Sequence, residues 1–284
     1  MMLVGAIVRD FGDPFFAAAI DALATAATAL GYNLVLGHAH GRLGEATRLA
    51  SVLEIRHVDA IVLLGDLHDQ PRLLADLKAS SVPVVATWQG TSPIDFATVD
   101  TDDVEGTTLA LEHLADLGHT RIALASTRLP LNNPQREDVY RQFMRDRIGG
   151  VPDHYVQRVP NSLEGGEMAL AALTEIPEVP TAVLATTDVV AMGVLSRAWA
   201  LGISVPGDLS VVGYDDMYFA AHTVPPLTTV RMPMTAIIAG ALNMAIELAR
   251  DSSLQGVAQV TRFPPWLVVR KSTAELTARS HGRS

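Results

Sequence analysis

The sequence predicts an α/β fold built as two doubly wound, parallel-sheet lobes joined by hinge strands. Three observations carry that expectation. The chain has 284 residues, long for one α/β domain and suited to two lobes of about 100–150 residues each. Apolar runs alternate with Ala- and Leu-rich helical stretches along most of its length, the pattern of parallel sheets with helices on both faces. Hydrophobic residues make up 49 % of the chain but aromatics only 5 %, so the cores are aliphatic, as buried parallel strands require.

The elements follow in order. Leu3–Val8 is an unbroken apolar run and reads as a buried strand. Pro14–Leu30 has helical apolar spacing, with Pro14 where a helix tolerates it, at the first turn. Gly31 follows it as a left-handed C′ residue. Asn33–Leu36 reads as a strand, Leu43–Ile55 as a helix, Ala60–Leu64 as a strand, Pro71–Ala79 as a helix and Val82–Thr87 as a strand. Asp102–Leu117 gives another helix, again closed by a glycine, Gly118. A second series repeats the rhythm: strand Arg121–Ala125, helix Gln135–Arg147, strand Tyr155–Val159, helix Leu163–Glu175, strand Ala182–Ala185, helix Val189–Leu201 and strand Leu209–Gly213.

The tail departs from this rhythm. Strand Pro225–Val230, helix Thr235–Arg250 and strands Gly256–Phe263 and Trp266–Arg270 cannot simply extend one sheet. They are expected to return the chain to the first lobe and cross again. The expected division is residues 1–118 plus 233–259 for the first lobe, and 119–232 plus 260–275 for the second. Residues 276–284 are expected to form a frayed tail.

Charge and composition exclude several functions. The formal net charge is −10, from 31 acidic and 21 basic residues, so the chain by itself lacks the basic surface that holds DNA phosphates. The densest cationic stretch, Arg136 to Arg147, is interrupted by Glu137, Asp138 and Asp146 and reads as a solvated helix face. The absence of cysteine excludes disulfides, thiolate nucleophiles and Cys-ligated zinc, and fits a reducing cytoplasm. Met1–Asp10 lacks the basic and apolar regions of an export signal, and no apolar run reaches the roughly 18–20 residues of a membrane span. The expectation is a soluble, cytoplasmic protein.

Catalytic and metal signals are weak. His38-Ala39-His40 places two imidazoles two positions apart, with no further ligands near in sequence. Gly165-Gly166 lacks the lysine of a phosphate loop, and no Gly-x-Ser-x-Gly elbow is present. No metal, cofactor or catalytic residue is expected.

Several motifs, in order and spacing, resemble the lactose/galactose-repressor (LacI/GalR) family of bacterial regulators. Gly12-Asp13-Pro14-Phe15-Phe16 is similar to its Asn-Pro-Phe-Phe turn, and Arg56-His57-Val58-Asp59-Ala60-Ile61 to its Arg-Arg-Val-Asp-Gly-Ile run. Glu112-His113-Leu114 with Leu117-Gly118-His119-Thr120-Arg121-Ile122-Ala123 matches its Glu-His-Leu…Leu-Gly-His-x-Arg-Ile-Ala signature. Thr187-Asp188-Val189-Val190-Ala191-Met192-Gly193 resembles its Asn-Asp-x-x-Ala-x-Gly turn. The runs Ile203 to Asp216, Pro225 to Pro233 and Leu267 to Thr273 complete a resemblance that covers essentially the whole chain.

The resemblance implies a type I periplasmic-binding-protein-like core that senses a small polar effector, most commonly a sugar, in a cleft between the lobes. It implies homodimers that form side by side, with helices Leu43–Ile55 and Pro71–Ala79 as candidate surfaces. Operator DNA is bound in this family through an N-terminal helix-turn-helix and hinge. Because Leu3 is already in a strand, the chain reads as a fragment, the alternative being a natural sensor without its reader.

In open parallel sheets ligands sit outside the carboxyl ends of the strands, which points to the loops around Arg9–Phe16, Gly65–Gln70, Trp88–Ser92, Ser126–Arg136, Thr186–Asp188 and Tyr214–Phe219; together with the resemblance this implies seven candidate contacts: Asp13, Phe15, Phe16, Trp88, Arg136, Thr187 and Asp215. Phe15 and Phe16 are expected to divide between cleft and core. Trp88 offers a ring on which a sugar or nucleoside stacks, or core packing. Arg136 matches the arginine that reaches the ligand in the family and offers a fork of donors for hydroxyl, carboxylate or phosphate, although the usual Arg-x-x-Gly-Phe here reads Arg136-x-x-Val139-Tyr140. Asp215 corresponds to a position that accepts from ligand hydroxyls, with Asp216 expected to cap the next turn.

Thr187 replaces the usual Asn, and Asp188 is expected to be the N-cap. Asp102-Asp103 replaces the commoner Asp-Asn pair and reads as helix capping plus dipole stabilisation. A sugar, a purine and a phosphorylated sugar all remain open as effectors. Two other functions stay open beside the regulator: a solute-binding protein of an importer, marked by an export signal, and a sugar-modifying hydrolase, marked by turnover.

Overall fold

The computed structural model describes residues 2–39, 57–89, 95–127, 134–251 and 259–276. The helix expected over Leu43–Ile55, and His40, lie outside these residues. In chain order the elements are β1 (Leu3–Val8), α1 (Pro14–Ala29), β2 (Asn33–His38), β3 (Ala60–Leu64), α2 (Pro71–Ala79), β4 (Val84–Thr87), β5 (Ala97–Thr101) and α3 (Asp103–Asp116). Then come β6 (Ile122–Thr127), α4 (Pro134–Phe143), β7 (Val156–Val159), α5 (Leu163–Thr174), β8 (Ala182–Ala185), α6 (Asp188–Ala200) and β9 (Ser210–Asp215). β10 (Thr228–Arg231), α7 (Met234–Arg250), β11 (Val260–Phe263) and β12 (Trp266–Val268) close the series.

The chain divides into two units, residues 1–102 with 233–264 and residues 103–232 with 265–284. The first contains a six-stranded sheet in the order β11-β5-β4-β3-β1-β2, all of it parallel. The second contains a six-stranded sheet in the order β12-β10-β9-β8-β6-β7, parallel except for β12, which runs against β10.

These boundaries differ from the expected ones at two places. Helix α3 belongs to the second unit, where Gly106 presses its backbone against Tyr214 and Val230. Strand β11 belongs to the first, hydrogen-bonded beside β5. Both assignments depend on long-range packing that neither segment's own pattern reveals.

Local chemistry explains the elements that position the functional loops. Asp13 caps α1, accepting from the Phe15 N–H at 2.9 Å, and Pro14 follows at the helix start. Strands β1, β3, β4, β6 and β8 are buried along nearly their whole lengths, as parallel strands covered on both faces must be. In the second unit α5 and α6 lie unusually close. A methyl group added at Gly166 would overlap the Val190 carbonyl, and one at Gly193 the Leu163 carbonyl. The helix expected to run to Arg147 is α-helical only to Phe143, then widens into a π turn, Met144–Ile148, ended by Gly149 at φ 92°. Among the described residues, no helix is long and apolar enough to cross a membrane.

Candidate functional site

Each sheet has a switch point where the strand order reverses: between β1 and β3 in the first, and between β6 and β8 in the second. The loops leaving the carboxyl ends of such a pair diverge and open a crevice where ligands bind. The polar side chains with the most unusual surroundings gather at these two places.

In the first unit, Arg9 leaves β1 buried, with 2 % of its surface exposed. Its guanidinium pairs with Asp69, Nη2 to Oδ2 at 3.0 Å, and donates to the Asp66 carbonyl at 2.6 Å. Phe15 and Phe16 are both buried, at 8 % and 4 % exposure. Phe15 meets Trp88 edge to face at 4.7 Å between centroids, and Phe16 meets it at 6.5 Å.

Gly65 is what lets Phe16 in: its φ is 97°, and a Cβ there would fall 2.6 Å from the Phe16 Cζ. Trp88 is half-buried in the left-handed region, φ 53°, a strained conformation of the kind that concentrates at functional loops. Its indole N–H is buried and finds no partner among the described residues. Gln89 beside it donates to the Gly65 and Thr87 carbonyls at 2.6 and 2.8 Å, while its own N–H donates to Asp100 at 3.0 Å. Asp13 serves as the α1 cap.

In the second unit the centre is Arg136. Its Nε donates to Asp103 Oδ1 at 3.0 Å, Nη2 lies 2.9 Å from the same oxygen, and Nη1 donates to the Thr186 carbonyl at 2.5 Å. Asp215 Oδ1 stands 3.9 Å from Nη1, and the guanidinium carbon lies 3.4 Å over the Tyr214 ring centroid. Tyr214 donates its hydroxyl to Asp103 Oδ1 at 3.0 Å. Burial works against the charge on Arg136, but Asp103, Tyr214 and Asp215 outweigh it, so its pKa is raised and the group stays cationic. Burial also pushes the Tyr214 hydroxyl well above its ordinary range, with Asp103 adding to the effect, so it remains a donor.

Asp103 therefore does more than complement a helix end, and sequence reasoning missed its role as the anchor of Arg136. Capping and ion pairing call for the same residue type at the same place, so only the departure from Asp-Asn was a signal. Tyr214, Arg9 and Asp69 fall in the segments expected after strand carboxyl ends, but nothing in the sequence singles them out individually.

Two further expectations are corrected. Thr187, not Asp188, is the N-cap of α6, accepting from the Val190 N–H at 3.3 Å while its hydroxyl reaches Asn161 Oδ1 at 2.7 Å. Asp188 is fully buried, accepting from the Thr229 hydroxyl at 2.6 Å and the Met217 N–H at 2.7 Å. Burial, aided by the nearby Asp216, raises its pKa to about 7 against the hydrogen bonds that lower it. Asp216 does not cap the following 3-10 turn, whose start has no side-chain cap. It pairs instead with Arg231 and with Arg270, Nη2 to Oδ1 at 2.6 Å, because two arginines reach it where one backbone N–H would have. Asp215, at φ 113°, turns the chain between these two clusters. His38 stacks on Phe11 at 4.6 Å, and among the described residues no group of three or more metal-ligating side chains forms.

The chain is similar to known proteins in sequence and fold. Residues 111–273 match the family described as a periplasmic binding protein-like domain. The transcriptional regulator MalR of Streptomyces coelicolor is 35 % identical over 96 % of this chain and 80 % of its own length. A LacI transcriptional regulator from a Rhodococcus species superposes with a TM-score of 0.81 at 28 % identity, over 96 % of this chain and 98 % of that one. The transcriptional regulator CelR, solved as its cellobiose complex, gives a TM-score of 0.81 at 27 % identity, over 95 % and 84 %.

Proposed function

This chain belongs to the lactose/galactose-repressor family of bacterial transcriptional regulators, whose ligand-binding domain it matches, and from that premise we propose that it senses a sugar through the carboxyl-end faces of its two units and so controls DNA binding. The observation that carries this reading is Arg136. A cation held rigidly at the switch point of a parallel sheet, between two carboxylates and over an aromatic ring, presents an ordered set of polar groups to a polyol. Trp88 supplies the complementary feature in the first unit, an aromatic surface whose N–H has no partner among the described residues. The cellobiose complex of CelR supports a saccharide over a purine.

Control of DNA follows as a population shift: a ligand with different affinity for two arrangements of the protein biases the one that binds operator. The full regulator acts as a homodimer in this reading. No step of catalysis is proposed, and the regulators matched over 96 % of the chain favour this reading over an importer's binding protein.

The test is a thermal-shift screen of the purified chain against neutral mono- and disaccharides, with Arg136→Lys in parallel. A sugar at about 100 times its dissociation constant adds roughly 2.7 kcal/mol, a rise of about 9 °C for units of this size. The expected result is such a rise for one sugar in the wild type and its loss in a variant that still folds. A rise that survives unchanged in the variant would remove Arg136 from the site.

A further inference from the structure

We infer that the carboxyl-end face of the second unit selects an uncharged ligand over a phosphorylated one, and that Asp103 is the residue that sets this preference. The inference rests on the reading of that face as the ligand's, and it narrows the ligand's chemistry. Arg136 and Arg231 stand at that face, and Arg270 reaches the same group of acids from the start of β10, donating also to the Leu227 carbonyl at 2.7 Å. Arg231 and Arg270 both close on Asp216. Arg136 is held by Asp103 at 2.9 and 3.0 Å and has Asp215 at 3.9 Å. Asp188 lies buried behind them. Among the described residues named here, three cations meet four carboxylic acids, and burial keeps Asp188 partly protonated near neutral pH, with a pKa of about 7.

The local geometry points the same way. The guanidinium edges of Arg136 already donate to Asp103, to the Thr186 carbonyl and to the Met232 sulfur, the last at 3.8 Å. A phosphate seeking that fork would have to displace Asp103 and leave its carboxylate buried beside a dianion, a costly arrangement. A sugar hydroxyl meets no such conflict, because it can donate to Asp215 or Asp103 and accept elsewhere at once. The positive end of helix α6, an attractive anion site in other settings, already carries the chain's own Asp188 in its first turn.

The experiment compares wild type and Asp103→Asn by melting temperature in inorganic phosphate and in sodium chloride of equal ionic strength. In a second arm, wild type is titrated with glucose against glucose 6-phosphate, ribose against ribose 5-phosphate, and cellobiose. The expected result is no phosphate-specific rise in wild type, a phosphate-specific rise in Asp103→Asn, and no phosphorylated sugar bound more tightly than its parent. Phosphate-specific stabilisation of wild type that disappears in Arg136→Lys would overturn the inference. So would a folded Asp103→Asn that gains nothing from phosphate, or a phosphorylated sugar that outcompetes its parent in wild type. If Asp103→Asn fails to fold, the wild-type arms still decide. If no sugar of either kind binds, the functional reading fails, while the phosphate comparison still decides the charge preference.

Discussion

Arg136 was legible in the sequence because one residue type at one motif position carries the chemistry, but the residues that make it buried and rigid were not. Asp103 and Tyr214 read as a helix end and part of a strand, and nothing local says that both turn toward a third side chain. The burial of Phe15 and Phe16 is silent for a similar reason: it depends on Gly65, some fifty positions away, and on Trp88.

Asp188 gives the clearest test at this scale. Its folded pKa, about 7, lies above its unfolded value, so its protonated form is favoured by folding. That contribution is fully present below about pH 4 and is lost as pH rises toward 7. The stability of wild type relative to Asp188→Asn, measured by urea unfolding, is therefore expected to fall between pH 5 and pH 7.5 and to level off above. A difference that stays flat across that range would mean the carboxyl is not held in its protonated form.

Among elements, the apolar runs were easy to place, and β1, β3, β8 and α2 fall where their patterns put them. Strand β5 was missed. Ala97–Thr101 includes Asp100 and Thr101, and polar residues in so short a run read as a loop. In the fold both are buried, Asp100 accepting from the N–H groups of Gln89 and Thr101 at 3.0 and 2.8 Å, so the polarity serves backbone satisfaction rather than exposure.

The α5–α6 contact was equally silent. Gly165-Gly166 invites comparison with a phosphate loop, yet Gly166 and Gly193 are there because the two helix backbones touch. Gly166→Ala is expected to force the helices apart and destabilise the second unit by about 1–3 kcal/mol, the usual range for overpacking. The loss is read as a lower midpoint in a urea titration. An undiminished midpoint for Gly166→Ala would show that the helices have room to spare.

For the whole molecule, strand–helix alternation was enough to give two parallel sheets, and the broken rhythm of the tail was enough to give a chain that returns and crosses again. The crossings themselves, at residues 102/103, 232/233 and 264/265, were not legible. A helix such as α3 has the same pattern whichever sheet it covers, and β11 pairs across about 160 residues of sequence separation with β5. At this scale the proposed function requires that the carboxyl ends of both sheets, and not their amino ends, receive the effector.

Hydrogen exchange of the chain alone and with a saturating mixture of cellobiose, maltose, ribose and galactose measures that claim directly. The account predicts slowed exchange around Asp13–Phe16 and Trp88–Gln89 in the first unit and around Asp103, Arg136, Thr186–Asp188 and Asp215–Met217 in the second. No change with any of these sugars, or protection confined to the amino ends around Thr120, Thr181 and Gly207–Leu209, would contradict it.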